Sequence, residues 1–339
     1  MRYRVLTLLL AAALLSGCSQ GTADAPEPAE ITNAQTTQAE TTTEAFVLPP
    51  AEYETADNSA EILRAAQEQT EQMRRKFGED IPAFEPAELV TIIENPDEMT
   101  YSGIFEQGIQ YGQKSYTYII RDSRGNDIGE ILQPENEMVF EKACVYDSDG
   151  HILKAYIFND DYMTIVTDTY ENGVLKHGMF EQLDLEDGEL KPVLESCYDE
   201  HGNLLESYDF KDGTKARGLF NENEYDENGR LVCSDHFGEN SEGTPHLWTL
   251  RYKYDDEGKM ILKVTEFGSS YSTLKNEYFS FGSLRRETTL DYYENGDLAN
   301  KSVIEYSYDD PDHVHQIVEY EQGKQTYKAI FKYKKIDNT

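Results

Sequence analysis

The chain has 339 residues, with 65 acidic against 30 basic side chains, a formal net charge of −35, 38% hydrophobic residues and one Trp beside 24 Tyr. That charge repels polyanions, which excludes nucleic acid and anionic wall polymers as direct partners, whereas cations and basic proteins are attracted at low salt. The apolar fraction is too small for a thick core, so a thin-sheet architecture with tyrosines covering much of the surface is expected.

Arg2 and Arg4 precede an apolar run from Val5 to Leu15, the pattern of an export signal. The run stops at Ser16, short of the roughly 20 residues that a bilayer span requires. Leu15-Ser16-Gly17-Cys18 resembles the lipobox of bacterial lipoproteins. The resemblance implies cleavage before Cys18, acylation of its thiol, and anchorage at the extracytoplasmic face of the cell membrane or outer membrane. A single acyl chain anchors marginally, and two or three hold firmly at about 0.8 kcal/mol per buried methylene.

Residues 1–17 are thus read as a signal peptide and 18–57 as a lipid-anchored, disordered linker. Residues 19–45 hold no aromatic and one large aliphatic, Ile31, in a background of Thr, Ala, Glu, Gln and Pro. Extended to about residue 53, a flexible chain of that length spans on the order of 35 Å. From Asn58 the pattern changes. Asn58 with Glu61 has the form of a capping box, and Ile62, Ala66, Met73 and Phe77 recur at helical spacing, which predicts an amphipathic helix over 58–78 packed as an end cap on the first strands.

Residues 79–335 read as a β-repeat domain of short strands rich in Tyr, Phe, Val, Ile and Thr between Gly, Asn and Asp turns. One frame recurs: Tyr146 to Gly150, Tyr198 to Gly202, Tyr225 to Gly229 and Tyr254 to Gly258, with variants ending at Gly173 and Gly296. The glycines lie 23, 29, 27, 29 and 38 residues apart, room for two strands and two turns. The unit is a hairpin, and the expected fold is all-β, an antiparallel meander in an elongated or curved sheet with one N-terminal helix. Gly supplies positive φ at the end of the turn, Asp or Asn bonds nearby amides, and Tyr closes the incoming strand with its ring toward the next repeat and its hydroxyl in water. Tyr252 with Tyr254, and Tyr306 with Tyr308, place ring pairs on one sheet face as packing elements.

The run Tyr252-Lys-Tyr254-Asp255-Asp256-Glu257-Gly258 resembles the YD repeat of Rhs-type surface proteins, and the Tyr-Glu-Asn-Gly copies resemble bacterial MORN-variant repeats. The similarity covers roughly residues 140–335 and implies a β scaffold for contact or encapsulation. The frame departs from this pattern at Tyr308-Asp309-Asp310-Pro311-Asp312, which lacks the glycine.

No catalytic residue, metal ligand or cofactor is assigned. Glu224, Asp226, Asn228, Gly229, Leu231 and Asp235 partly imitate a calcium loop, but the first-ligand position falls on Val145, Cys197 and Lys253 in sister repeats, so turn chemistry explains the pattern. His313 and His315 share a strand face without a third zinc ligand. After Cys18, the cysteines Cys144, Cys197 and Cys233 are an odd number without CxxC spacing and read as strand fillers. The expected function is a lipid-anchored extracytoplasmic protein that binds a protein or glycan partner. Trp248, beside Pro245 and His246 in the longest connection, is its candidate binding residue. A structural envelope component or immunity-like factor, and a hydrolase, are the alternatives.

Overall fold

The computed structural model describes residues 58–77, 84–96, 101–105, 108–111, 115–133, 139–158, 162–186, 188–238 and 245–336. The signal peptide, Cys18 and the linker lie outside the described residues. Two units are distinguished, Met1–Tyr53 and Glu54–Thr339, and everything below concerns the second.

Helix α1 (Ser59–Phe77) precedes β1 (Glu88–Glu94), the short pair β2 (Tyr101–Phe105) and β3 (Gly108–Tyr111), and β4 (Ser115–Arg121). There follow β5 (Asp127–Gln133), β6 (Val139–Tyr146), β7 (Ile152–Phe158), β8 (Tyr162–Glu171), β9 (Val174–Asp184), β10 (Leu190–Tyr198), β11 (Leu204–Lys211) and β12 (Thr214–Tyr225). The chain continues through β13 (Leu231–Gly238), β14 (His246–Tyr254), β15 (Met260–Phe267), β16 (Ser270–Tyr278), β17 (Leu284–Tyr292), β18 (Leu298–Asp310), β19 (His313–Glu321) and β20 (Lys324–Lys335).

Every strand from β4 onward pairs antiparallel with the next, and β1 pairs with both β4 and β20. The result is an antiparallel 18-stranded sheet closed on itself, with β2 and β3 as a separate hairpin. The open, elongated sheet expected from the sequence is therefore corrected to a closed barrel. Two physical features account for the closure. First, the register slips by one residue just after the Tyr-Asp-x-x-Gly turns, leaving Leu153, Leu205, Val232 and Ile261 as extra residues. Such bulges bend the strand and increase its right-handed twist. Second, β1 hydrogen-bonds to β20 along one edge and to β4 along the other, and it is buried on both faces, Leu89 and Ile93 on one and Val90 and Ile92 on the other, so no edge of it is left to open the sheet.

The turn frame is chemically uniform. In Asp122, Asp147, Asp199, Asp226 and Asp255, one carboxylate oxygen accepts the amides two and four residues on at 2.8 to 3.0 Å. The glycine amide closes back on the Asp carbonyl. Two copies were not legible in the sequence. Asp122 to Gly125 lacks the preceding Tyr, and Phe279 to Gly282 replaces Asp with Phe while keeping the same backbone closure.

Two expected copies differ. Asn172 and Gly173, at φ 53 and 77, form a two-residue turn between β8 and β9, the geometry favoured where strands twist strongly. The Tyr292 to Gly296 copy joins β17 to β18, which places it on the opposite rim.

Three tyrosines of the frame, and Tyr333 of β20, turn their hydroxyls onto backbone carbonyls instead of leaving them in water. Tyr146 donates to Asp127 O at 2.9 Å, Tyr254 to Leu231 O at 2.8 Å, Tyr278 to Met260 O at 2.8 Å and Tyr333 to Val314 O at 3.1 Å. Each reaches back to the strand leaving the previous turn. A side chain from that previous turn also covers the ring: His151 on Tyr170, His201 on Tyr225, Arg230 on Tyr254 and Lys259 on Tyr278. Rungs are thus linked by hydroxyl–carbonyl bonds and cation or imidazole stacking rather than by ring on ring.

Helix α1 begins one residue after Asn58, whose carbonyl accepts from the Glu61 and Ile62 amides. Its Ile62, Ala66 and Met73 are buried against Tyr118, Ile120, Ile131, Ala143, Tyr156 and Met163, the face of β4 to β8 that we call the helix-bearing face. Cys144, Cys197 and Cys233 stand in β6, β10 and β13 as free thiols, and burial pushes each of them up.

Gly229 has φ 75, so Gly229→Val should destabilise the fold by about 1 kcal/mol or more, read as a lowered denaturation midpoint. Tyr254→Phe removes only the bond to Leu231 O and should cost about 1 kcal/mol. Tyr254→Ala also removes the half-buried ring and should cost about 2 to 3 kcal/mol. Equal losses for the two Tyr254 variants would show that the ring contributes nothing.

Candidate functional site

Most sequence-level candidates are absorbed by the scaffold. Tyr225 bonds Asp199 and accepts from Asn203, and Tyr198 is half-buried, its hydroxyl pushed up by desolvation. The calcium-like set does not converge. Asp226 is occupied by the Asn228 and Arg230 amides and the Arg230 guanidinium, while Asp235 accepts from Thr249 at 2.5 Å. Asp147, Asp149 and His151 do lie together, but Asp147 already holds the His151 ring at 2.9 Å and two backbone amides, which is turn chemistry. His313 and His315 part company. The first bonds Asp310 at 2.7 Å, and the second, in a bulge, bonds Asp309 at 3.0 Å.

Trp248 lies within β14 rather than in the connection before it. It pairs across the ladder with His236, which pairs in turn with Asn221. These residues project from the face opposite to the helix-bearing one. On that face burial pushes up the hydroxyls of Tyr252 and Tyr306 and pushes His236 down to about 4. Trp248 stacks on His236 at 4.7 Å and 20°, and half-exposed Phe267 tilts against Trp248 at 6.2 Å. Sequence reasoning singled out Trp248 but not Asn221, His236 or Phe267, which the structure places beside it. Only the cross-strand register, set by the bulges, brings the four together.

A second constellation was also missed, because its members come from β1, β5 and β6. The register shift after Glu130 makes Glu141 the extra residue of a bulge. Desolvation first, then Glu130 and Glu94, push the Glu141 carboxyl up to about 7, against the pull of Lys142. Glu130 is raised for the same leading reason. Glu94 accepts hydroxyl bonds from Ser115 and Tyr327, each at 2.8 Å. Carboxyls in unlike environments are what acid–base chemistry uses, and structural clusters show the same pattern.

A carboxyl whose folded pKa lies above its unfolded value adds stability below the unfolded value, and that contribution is lost as pH rises through the folded one. The window for Glu141 runs from its ordinary 4.5 to about 7. Partial solvent screening cuts the nominal cost at high pH to about 1 to 2 kcal/mol. Glu141→Gln should therefore raise the melting temperature by about 2 to 4 °C at pH 8 and be silent at pH 4. Equal effects at both pH values would remove the charge explanation.

No family model and no curated protein matches the chain. Among solved structures, a porin-like protein from Bacteroides uniformis is similar over 75% of this chain and 99% of its own, at 9% identity and TM-score 0.36. A porin-like protein from Bacteroides vulgatus covers 61% and 98% at 12% identity and TM-score 0.28. The TcdB2-TccC3-Cdc42 structure is similar over 61% of this chain and 14% of that one, at 13% identity and TM-score 0.22. At these values no functional inference is carried across.

Proposed function

We propose that the chain is a lipid-anchored extracytoplasmic barrel that binds a partner in the cell envelope through aromatics outside the repeat frame. The observation that carries the binding half of this reading is the row His236, Trp248 and Phe267. Rings inside the frame are spent on holding turns together, whereas Phe267 is 50% exposed at the end of this row. An exposed aromatic edge on a rigid scaffold is the usual anchor of recognition. The lipobox at Cys18 supports the anchored half.

The barrel wall itself is not built to face lipid along β14 to β19. Arg251, Lys275 and Glu305 sit mid-strand on the helix-bearing face, and Lys263, Glu287 and Glu319 on the other. A lipid-facing barrel needs an apolar belt about 25 Å tall. No helix among the described residues is long and apolar enough to cross a membrane. Attachment through the acyl chains is the reading that fits both observations.

A second reading, a hydrolase, is favoured by the Glu94, Glu130 and Glu141 constellation. It predicts an activity that Glu141→Gln abolishes without loss of partner binding.

The lead reading is tested in cells by labelling with a clickable fatty acid and by crosslinking of the full chain. Cys18→Ser should lose the acyl label and membrane retention. In the wild-type background, Trp248→Ala should lose the crosslinked partner while keeping both label and retention. Normal labelling of Cys18→Ser refutes the anchor, and an unchanged crosslink pattern in Trp248→Ala refutes the binding row.

A further inference from the structure

Three turns of the sheet carry an Asn-Gly pair preceded by Glu, at Asn172-Gly173, Asn228-Gly229 and Asn295-Gly296. In such a pair no Cβ hinders the glycine amide nitrogen, which can attack the carboxamide carbon of the asparagine before it. The local sequence is the same and all three asparagines are exposed, so neither distinguishes them. The state of the glycine amide does. Gly229 N donates to Asp226 O at 2.9 Å and Gly296 N to Tyr293 O at 2.8 Å. Asn295 is tied as well, its Oδ1 accepting the Asp297 amide at 3.0 Å and its Nδ2 donating to Asp297 Oδ2 at 2.8 Å. Asn172 and Gly173 instead form the two-residue turn closed by Glu171 and Val174. Among the described residues neither the Asn172 carboxamide nor the Gly173 amide has a hydrogen-bond partner.

A base stands beside this free pair. The His151 ring, from the preceding turn of the rim, stacks on Tyr170 at 4.7 Å and lies with Cε1 and Nε2 at 3.7 and 3.8 Å from where a Cβ on Gly173 would stand. Asp147 Oδ2, a carboxylate oxygen that only accepts, holds His151 Nδ1 at 2.9 Å. The proton of the neutral ring therefore sits on Nδ1. That leaves the Nε2 lone pair at the Gly173 backbone, close enough to take the amide proton directly or through one water. His201 stands beside Gly229 in the sister turn, but there the nearest ring atoms are Cε1 and Nδ1 and the glycine amide is already bonded.

We propose that Asn172 is a site of self-catalysed deamidation, in which Gly173 N attacks Asn172 Cγ while His151 Nε2 takes the amide proton. The new N–Cγ bond closes a succinimide, the Cγ–Nδ2 bond breaks, and the nitrogen leaves as ammonia with the proton that His151 returns. One water molecule then opens the ring to aspartate or to isoaspartate. Either product adds one negative charge. Isoaspartate also lengthens a two-residue turn by one backbone carbon, which loosens the closing pair Glu171 and Val174. The proposal is independent of the partner-binding reading above.

The full chain is aged in mildly alkaline buffer, and the conversion of each asparagine is followed by peptide mapping with mass spectrometry. In the native protein Asn172 should convert faster than Asn228 and Asn295 by about tenfold or more, the effect of one amide hydrogen bond and a positioned base. In the denatured chain the three rates should come together. His151→Gln, which keeps a donor for Asp147 but offers no base, should slow native conversion at Asn172 by about tenfold. The native and denatured wild-type rates decide the site even where that variant folds poorly. Equal native rates at the three pairs, or a lead for Asn172 that survives denaturation, overturns the proposal. An unchanged rate at Asn172 in folded His151→Gln overturns the role of the base.

Discussion

The structure depends on a tyrosine hydroxyl that reaches one repeat back. The bond from Tyr254 to Leu231 O, and its equivalents at Tyr146, Tyr278 and Tyr333, tie the end of one hairpin to the start of the one before. Each is worth only about 1 kcal/mol. Its position matters more than its size. It lies beside the bulge, where the regular ladder is interrupted, and reinforces the register there. The Asp carboxylate in the turn does the complementary work of satisfying amides that the bulge and the tight turn leave without strand partners.

That division of labour explains why so acidic a chain tolerates aspartates crowded along one rim. They serve the backbone before they serve solvent: Asp226 is held below the usual carboxylate range first by the Arg230 amide. The basic residue that follows the turn then lies over the next tyrosine, as Arg230 and Lys259 do, so positive charge is spread along the rim between the carboxylates. The excess negative charge stays at the surface, where it favours solubility over association.

The all-β antiparallel hairpin character and the helix after Asn58 were legible, because each follows from residue types within a few positions of one another. Closure was not. The apolar stretch Leu89 to Ile93 alternates with neither period, and nothing local tells a strand buried on both sides from a segment of helix. The Phe279 turn was invisible for another reason: its backbone closes as the others do, but the carboxylate that marks the frame is missing. Trp248 stood out by composition, while Asn221, His236 and Phe267 are ordinary residues until the bulged registers of β12 to β15 align them.

Closure also sets how the molecule is held as a whole. Hairpins from β4 to β20 are local and can form one after another at modest entropic cost. The seam is different. Arg121 of β4 holds Glu88 of β1 at 3.4 Å and Asp127 of β5 at 2.8 Å. Tyr327 of β20 donates to Glu94 at 2.8 Å across 233 residues of sequence. His313 packs edge-on to Tyr333 and approaches Glu88 at 3.9 Å. These contacts reward the chain only once both ends have met, so β1 is the slow, non-local step of a mostly local fold. The same strand, apolar on both sides and flanked by glutamates at each end, also brings Glu94 to the hydroxyls of Ser115 and Tyr327 and into the field that raises Glu141. The strand that completes the barrel therefore also supplies a member of the carboxylate cluster around Glu141, and closing the sheet and assembling that cluster are one event.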